Sequence, residues 1–307
     1  MENSEDIERG MEARQPPDAA DDRSIIFVSQ DVEPPPQEYR AEPRRPRWLV
    51  PAVLYGATCV STFLVGGLEY AVPLMMILTA HELGHFFQAL RYRVPASLPY
   101  FIPMPFTPVG TMGAVIRMGA RMGNRKALFD IAISGPLAGL VLAIAFSVVG
   151  LQYSRVGPRV EGRGIWELGE PLIFRLFEYW TFGPLDDAAQ TVYRHPVGVA
   201  GWVGIFITAL NLFPIGQLDG GHILYALLRR RAHVVAVALL LAAVVAVVLL
   251  DYKEWLLMVF LLILIGPRHP PTGDDYVELG KARIVLGWLV LLFVVVGFTP
   301  TPFVFQR

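Results

Sequence analysis

The 307-residue chain is short of cysteine and of charge. A single cysteine, Cys59, excludes an internal disulfide and any cysteine-based metal cluster. Its place in an apolar run reads as a small packing residue. Charged residues make up only 17% of the chain, below the roughly 25% of ordinary soluble domains, which argues against one large soluble core. A formal net charge of −1 carries no signature of a nucleic-acid partner. The first residues lack the basic start and apolar stretch of a secretory signal, and they are too acidic for a transit peptide. No internal repeat is present.

What remains is apolar. Hydrophobic residues reach 54% and the mean hydropathy is +0.46, so the chain reads as an all-α polytopic membrane protein. Residues 1–47 stand apart. Met1 to Ser24 holds eight acidic residues against three arginines, and Pro34-Pro35-Pro36 follows, the composition of a disordered acidic and proline-rich tail. Apolar runs then cover Trp48–Gly67, Tyr70–Leu90, Ala127–Gly150, Pro196–Leu212, His233–Leu250, Trp255–Gly266 and Ile284–Phe298. A span needs about 20 residues, which predicts about six to seven transmembrane helices within a domain of residues 48–307.

Between the second and third runs, Pro95, Pro99, Pro103, Pro105 and Pro108 forbid a regular helix. Gly110 to Met118 reads as an extended piece. Irregular backbone at membrane depth is tolerated only where it lines a protein cavity, so this segment is expected to be a re-entrant or short β-hairpin loop near a site. Gly135 and Gly139, at i and i+4 in the third run, suit close helix packing. Asp130, just after Arg125 and Lys126, reads as a local ion pair. The alternation of runs puts Arg44, Arg45, Arg47, Arg91, Arg93, Arg121, Arg125, Lys126, Arg229–Arg231 and Arg268 on one side. By the positive-inside rule that side, including the tail, is cytoplasmic.

The second run carries the chemistry. His81-Glu82-Leu83-Gly84-His85 sets two imidazoles at i and i+4 on one helix face, the spacing of a zinc hydrolase in which the glutamate is the general base. A catalytic zinc takes about three protein ligands and keeps one position for water. Asp219, in Leu218-Asp219-Gly220-Gly221-His222, is the best third ligand, because it too falls toward the cytoplasmic end of an apolar run. Asn211 offers an amide that suits oxyanion or substrate-backbone contact. His222, three residues past Asp219, is left outside the ligand set. Polar groups at membrane depth mark function by default. Two other functions fit the same residues less well: a metal-ion transporter, which needs such groups strung along the spans, and a non-catalytic scaffold that binds membrane helices, which has no use for Glu82.

His81-Glu82-x-x-His85 in a membrane helix, together with Asn211-x-x-Pro214-x-x-x-Leu218-Asp219-Gly220, resembles the site-2 protease family of intramembrane zinc metalloproteases. Gly110-x-x-Gly113 and Gly135-Pro136-x-x-Gly139 fit the same family, and the likeness covers about residues 48 to 300. The resemblance implies a Zn2+ ion on His81, His85 and Asp219, with Glu82 as the base. It implies hydrolysis of a peptide bond in or near a transmembrane helix of a single-pass membrane protein, which is regulated intramembrane proteolysis, with an upstream protease or accessory membrane protein as a further partner. The 110–113 stretch, Gly110, Thr111, Met112 and Gly113, is expected to bind unwound substrate by strand addition. No PDZ or CBS domain fits the 151–194 loop or the tail, so the resemblance is to a minimal form. Absent targeting signals favour a multi-pass protein of the cell membrane.

Overall fold

The structure, a computed structural model, describes residues 48–118, 123–159, 166–186, 189–250, 252 and 255–305. The expected tail, 1–47, lies outside the described residues. Helix α1 (Leu49–Gly66) leads through Gly67, at φ 71°, into α2 (Leu68–Arg91). A hairpin follows, β1 (Tyr100–Met104) and β2 (Gly110–Val115), and then α3 (Arg125–Gln152). After it come β3 (Arg155–Pro158), β4 (Trp166–Leu168), α4 (Leu172–Phe182) and β5 (Gln190–Tyr193). The remainder is α5 (Pro196–Asn211), α6 (Asp219–Leu228), α7 (Ala232–Leu249), α8 (Leu256–Ile265), α9 (Lys281–Gly297) and β6 (Phe303–Phe305).

Three apolar helical stretches are long enough to cross a membrane: α1, α3 and the run Asp219–Leu249. Within that last run the chain doubles back at Arg229–Arg231. Tyr225 stacks on His233 with ring centroids 5.7 Å apart, whereas eight residues of straight helix would separate them by about 12 Å. Ile215, before α6, likewise packs with Leu240 of α7 and Leu262 of α8. The turn is marked by Arg229 at φ 54°, one of two non-glycine residues with positive φ among the described residues.

The fold is mostly helical but not wholly so. Of three two-stranded antiparallel sheets, β1–β2, β3–β5 and β4–β6, the last two go beyond the expected all-α fold with one hairpin loop. The first is the hairpin that the prolines foreshadow. Its register slips between Phe101 and Pro103, where proline has no N–H to give the ladder. Ser61 Oγ donates to the Gly110 carbonyl at 2.6 Å and Tyr70 Oη to the Val109 carbonyl at 2.8 Å, which fastens the hairpin to α1 and α2.

Helix α3 is the spine. Asn124 caps it, accepting from the Ala127 N–H at 3.0 Å. Its C-terminal half runs antiparallel to α5: Gly150 meets Gly198, Ser147 meets Gly201 and Ala143 meets Gly204. Its N-terminal half packs Leu128, Phe129, Ala132 and Ile133 against Ile223, Leu224, Tyr225 and Ala226 of α6. Helices α5 and α6 therefore follow one another along α3, interrupted by 212–218, where Pro214 withholds a donor and Gly216 sits at φ 60°. Asp130 does not pair locally. It accepts from Arg283 of α9 at 2.8 and 2.9 Å and from Tyr92 at 2.5 Å. Arg125 is occupied elsewhere, donating to the Ala226 and Leu227 carbonyls.

A Cβ on Gly150 would fall on the Gly198 backbone, whereas one on Gly56 meets nothing within 4 Å. G150A is expected to cost about 1–3 kcal/mol by overpacking, read as a lowered thermal midpoint in detergent. G56A should stay within about 0.5 kcal/mol of the parent. Equal effects would contradict the α3–α5 crossing described.

Candidate metal centre

Helix α2 brings His81, Glu82 and His85 into the bundle, and all three are buried. Glu82 is close enough to feel the charge of His81, His85 and Asp219 together. Asp219 arrives from the other side as the first residue of α6, where a carboxylate is favoured by the positive end of the helix. The three donor atoms form a nearly equilateral triangle. His81 Nε2 lies 3.2 Å from His85 Nε2 and 3.2 Å from Asp219 Oδ2, and His85 Nε2 lies 3.3 Å from the same oxygen.

Hydrogen bonding fixes what these atoms present. The Ile131 carbonyl accepts from His85 Nδ1 at 2.7 Å, so in the neutral ring Nε2 carries a lone pair. It faces a carboxylate oxygen and a second imidazole nitrogen. Lone pairs at that spacing repel unless a proton or a metal cation lies between them. Zinc bonds of about 2.0–2.2 Å to nitrogen and oxygen require tetrahedral edges of about 3.3–3.5 Å, close to the edges found. His81, His85 and Asp219 form the one group of three or more such side chains able to hold a metal ion among the described residues. The donor set therefore fits zinc in chemistry and in size.

The seat for the imidazoles is in α3. A Cβ on Gly135 would coincide with the His85 ring, and one on Gly139 would come within 3.0 Å of His81 Cβ. Ser134 Oγ donates to the Gly84 carbonyl at 2.9 Å and pins α2 to α3 at this level. The Gly-x-x-x-Gly spacing pointed to close helix packing, and the structure adds that the histidine rings fill the space. The Ile131 carbonyl has no side-chain signature that could have announced it.

Asn211, at the end of α5, sets Nδ2 3.4 Å from His81 Nε2 and so borders the triangle. Gly110, Thr111, Met112 and Gly113 lie on β2, fastened to α1 rather than to the triangle. Thr111 Oγ1 donates to the Ile102 carbonyl at 3.0 Å and accepts from the Gly113 N–H at 3.0 Å, while the Met112 side chain is exposed.

The family model described as peptidase family M50 matches residues 69–250, more than half of the chain and inclusive of all three donor residues. The protein named probable zinc metalloprotease EGY1, chloroplastic, of Arabidopsis thaliana is 32% identical over 244 residues, covering 78% of this chain and 44% of that protein. Its namesake in Oryza sativa subsp. japonica is 36% identical over 170 residues, 53% of this chain and 28% of that protein. Probable zinc metalloprotease EGY2, chloroplastic, of Arabidopsis thaliana is 28% identical over 260 residues, 79% and 43% respectively. The chain thus spans less than half the length of these curated relatives.

G135A is expected to abolish stoichiometric zinc binding, because the new methyl occupies the place of the His85 ring. G139A should weaken binding less, since His81 need give by only a few tenths of an ångström. Zinc per chain in purified protein checks both; full zinc in G135A would contradict the seat described.

Proposed function

The chain belongs to peptidase family M50, the site-2 protease family, and on that premise we propose that it is a membrane zinc endopeptidase that cuts a peptide bond in or near a transmembrane helix of a single-pass substrate. The observation that carries this reading is the triangle of His81, His85 and Asp219 with Glu82 beside it, enclosed by apolar helices. We read α1, α2, α3, the interrupted α5–α6 pair, α7, α8 and α9 as about six to seven passages through the membrane. The distribution of arginine and lysine supports a cytoplasmic face for the site and for the 1–47 tail. We assign the chain to the cell membrane; the chloroplast designation belongs to the relatives whose names carry it.

A zinc ion bound there supplies Lewis-acid chemistry, acidifying a water and polarising the scissile carbonyl. The remaining steps fall to side chains of this chain. Glu82 accepts a proton from the attacking water as its oxygen adds to the carbonyl carbon. It then delivers that proton to the amide nitrogen as the C–N bond breaks, leaving a carboxylic acid and an amine, and transfer of the acid's proton to the amine gives carboxylate and ammonium. Asn211, at the border of the site, is positioned to hold the substrate's carbonyl oxygen or backbone. His85 keeps its lone pair inward through the Ile131 carbonyl. A helical peptide bond is shielded, so the substrate must unwind first. Among the described residues no further strand pairs with the outer edge of β2, which supports Gly110–Gly113 as the place where an unwound segment adds as a strand. Release of a membrane-anchored regulator after a first cut by another protease is the setting we propose.

The transporter reading uses the same three donors, and Glu82 separates the two. Glu82→Gln removes the base and leaves the ligand set untouched. It should retain one zinc per chain and lose cleavage of a helical membrane substrate by about a hundredfold or more. Full cleavage by this variant would falsify the proposal.

A further inference from the structure

Three of the six histidines, His222, His233 and His269, form a second cluster one helical turn from Asp219. His222 lies at i+3 from Asp219 and shares its face of α6. Its Nδ1 is 2.5 Å from Nε2 of His269, which lies in the loop between α8 and α9. His269 Nδ1 in turn faces the Pro270 carbonyl at 2.5 Å, and its own carbonyl is 3.1 Å from His233 Nε2. The Tyr225 ring stacks on His269 at 4.3 Å, and its hydroxyl donates to Asp275 at 2.7 Å. Both His222 and His269 are buried.

The tautomers follow from these partners. A carbonyl can only accept, so His269 Nδ1 carries the hydrogen and Nε2 offers a lone pair. His222 Nδ1 must then be the donor. Burial, joined by repulsion from His233, holds His269 below the usual imidazole range against its bond to Pro270, in keeping with a neutral ring.

Helix α6 needs such a hold. It has ten residues, is cut from α5 by 212–218 and is cut from α7 by the left-handed Arg229. No continuous helix sets its position, and with it the position of the third donor. The 267–275 loop grips it through His222 and Tyr225. The same loop is anchored on α3, where the Arg125 N–H donates to the Asp274 carbonyl at 3.0 Å. The loop itself, 267–275, lies beyond the stretch matched by the family model, which ends at 250.

We propose that His269 is a positioning residue: through its hydrogen bond with His222, the 267–275 loop fixes α6 so that the Asp219 carboxylate stands at zinc-binding distance from His81 and His85. The inference rests on the metalloprotease reading above. Zinc affinity of the full chain in detergent, measured by competition with a chromophoric chelator, tests it. H269F keeps a ring on Tyr225 and removes the acceptor, and its affinity should fall about tenfold. H269Q, whose Oε1 can accept from His222, should stay within about threefold of the parent. The absorption bands of bound Co2+ should shift in H269F and not in H269Q. Parental affinity in H269F, or equal losses in both variants, would overturn the proposal. If H269F does not fold, Y225F, which loses only the bond to Asp275, decides: weaker zinc supports the clamp and unchanged zinc refutes it. Absence of zinc binding in the parent protein would be a different result, and would sink the metalloprotease reading itself.

Discussion

Three lone-pair atoms held 3.2–3.3 Å apart inside an apolar bundle are a constraint that the rest of the structure must satisfy. Unless a proton or a cation lies between them they repel, and the two imidazoles have little room to turn away: His85 is tethered by a backbone carbonyl, and both histidine rings rest on glycines of α3. A carboxylate at membrane depth is costly unless it is paired or bound to a cation. The repulsion and the cost fall together when a divalent cation sits among the three. On this account the metal is part of what makes the fold consistent, and the apolar enclosure is part of what makes the metal useful.

The path of the chain follows from that constraint. Two donors one turn apart can come from a single helix, but a third approaching from the opposite side cannot. The α5–α6 interruption supplies it: the chain runs along α3, breaks at 212–218, and restarts with Asp219 at the new N-terminus. Broken backbone within a membrane is tolerated only where protein or an internal cavity satisfies it, and here α3 spans both halves. The consequence is that α6 is short and held mainly by its packing, by Arg125 at its C-terminal carbonyls, and by the 267–275 loop.

Much of this was legible in the sequence, for physical reasons. Apolar runs report their helices because apolar composition and length are what a membrane demands; Pro196–Leu212 was expected where Pro196–Asn211 is found. The hairpin was legible because five prolines exclude a helix. His81 and His85 declare themselves by spacing. Helix α6 was hidden, because Asp219-Gly220-Gly221 is weak helix-forming sequence and its helicity depends on packing against α3. The Asp130–Arg283 and His222–His269 pairs join residues 153 and 47 positions apart, and nothing local links them. The β3–β5 and β4–β6 pairings were equally silent, being strands of three or four residues. The acidic tail lies outside the described residues.

X-ray absorption at the zinc edge on the purified full chain tests the central claim most directly. The account predicts one zinc per chain with a shell of two imidazole nitrogens and light oxygen ligands at about 2.0–2.2 Å, and no sulfur. A shell of six oxygens, a sulfur ligand near 2.3 Å, or a protein that binds no zinc would contradict it.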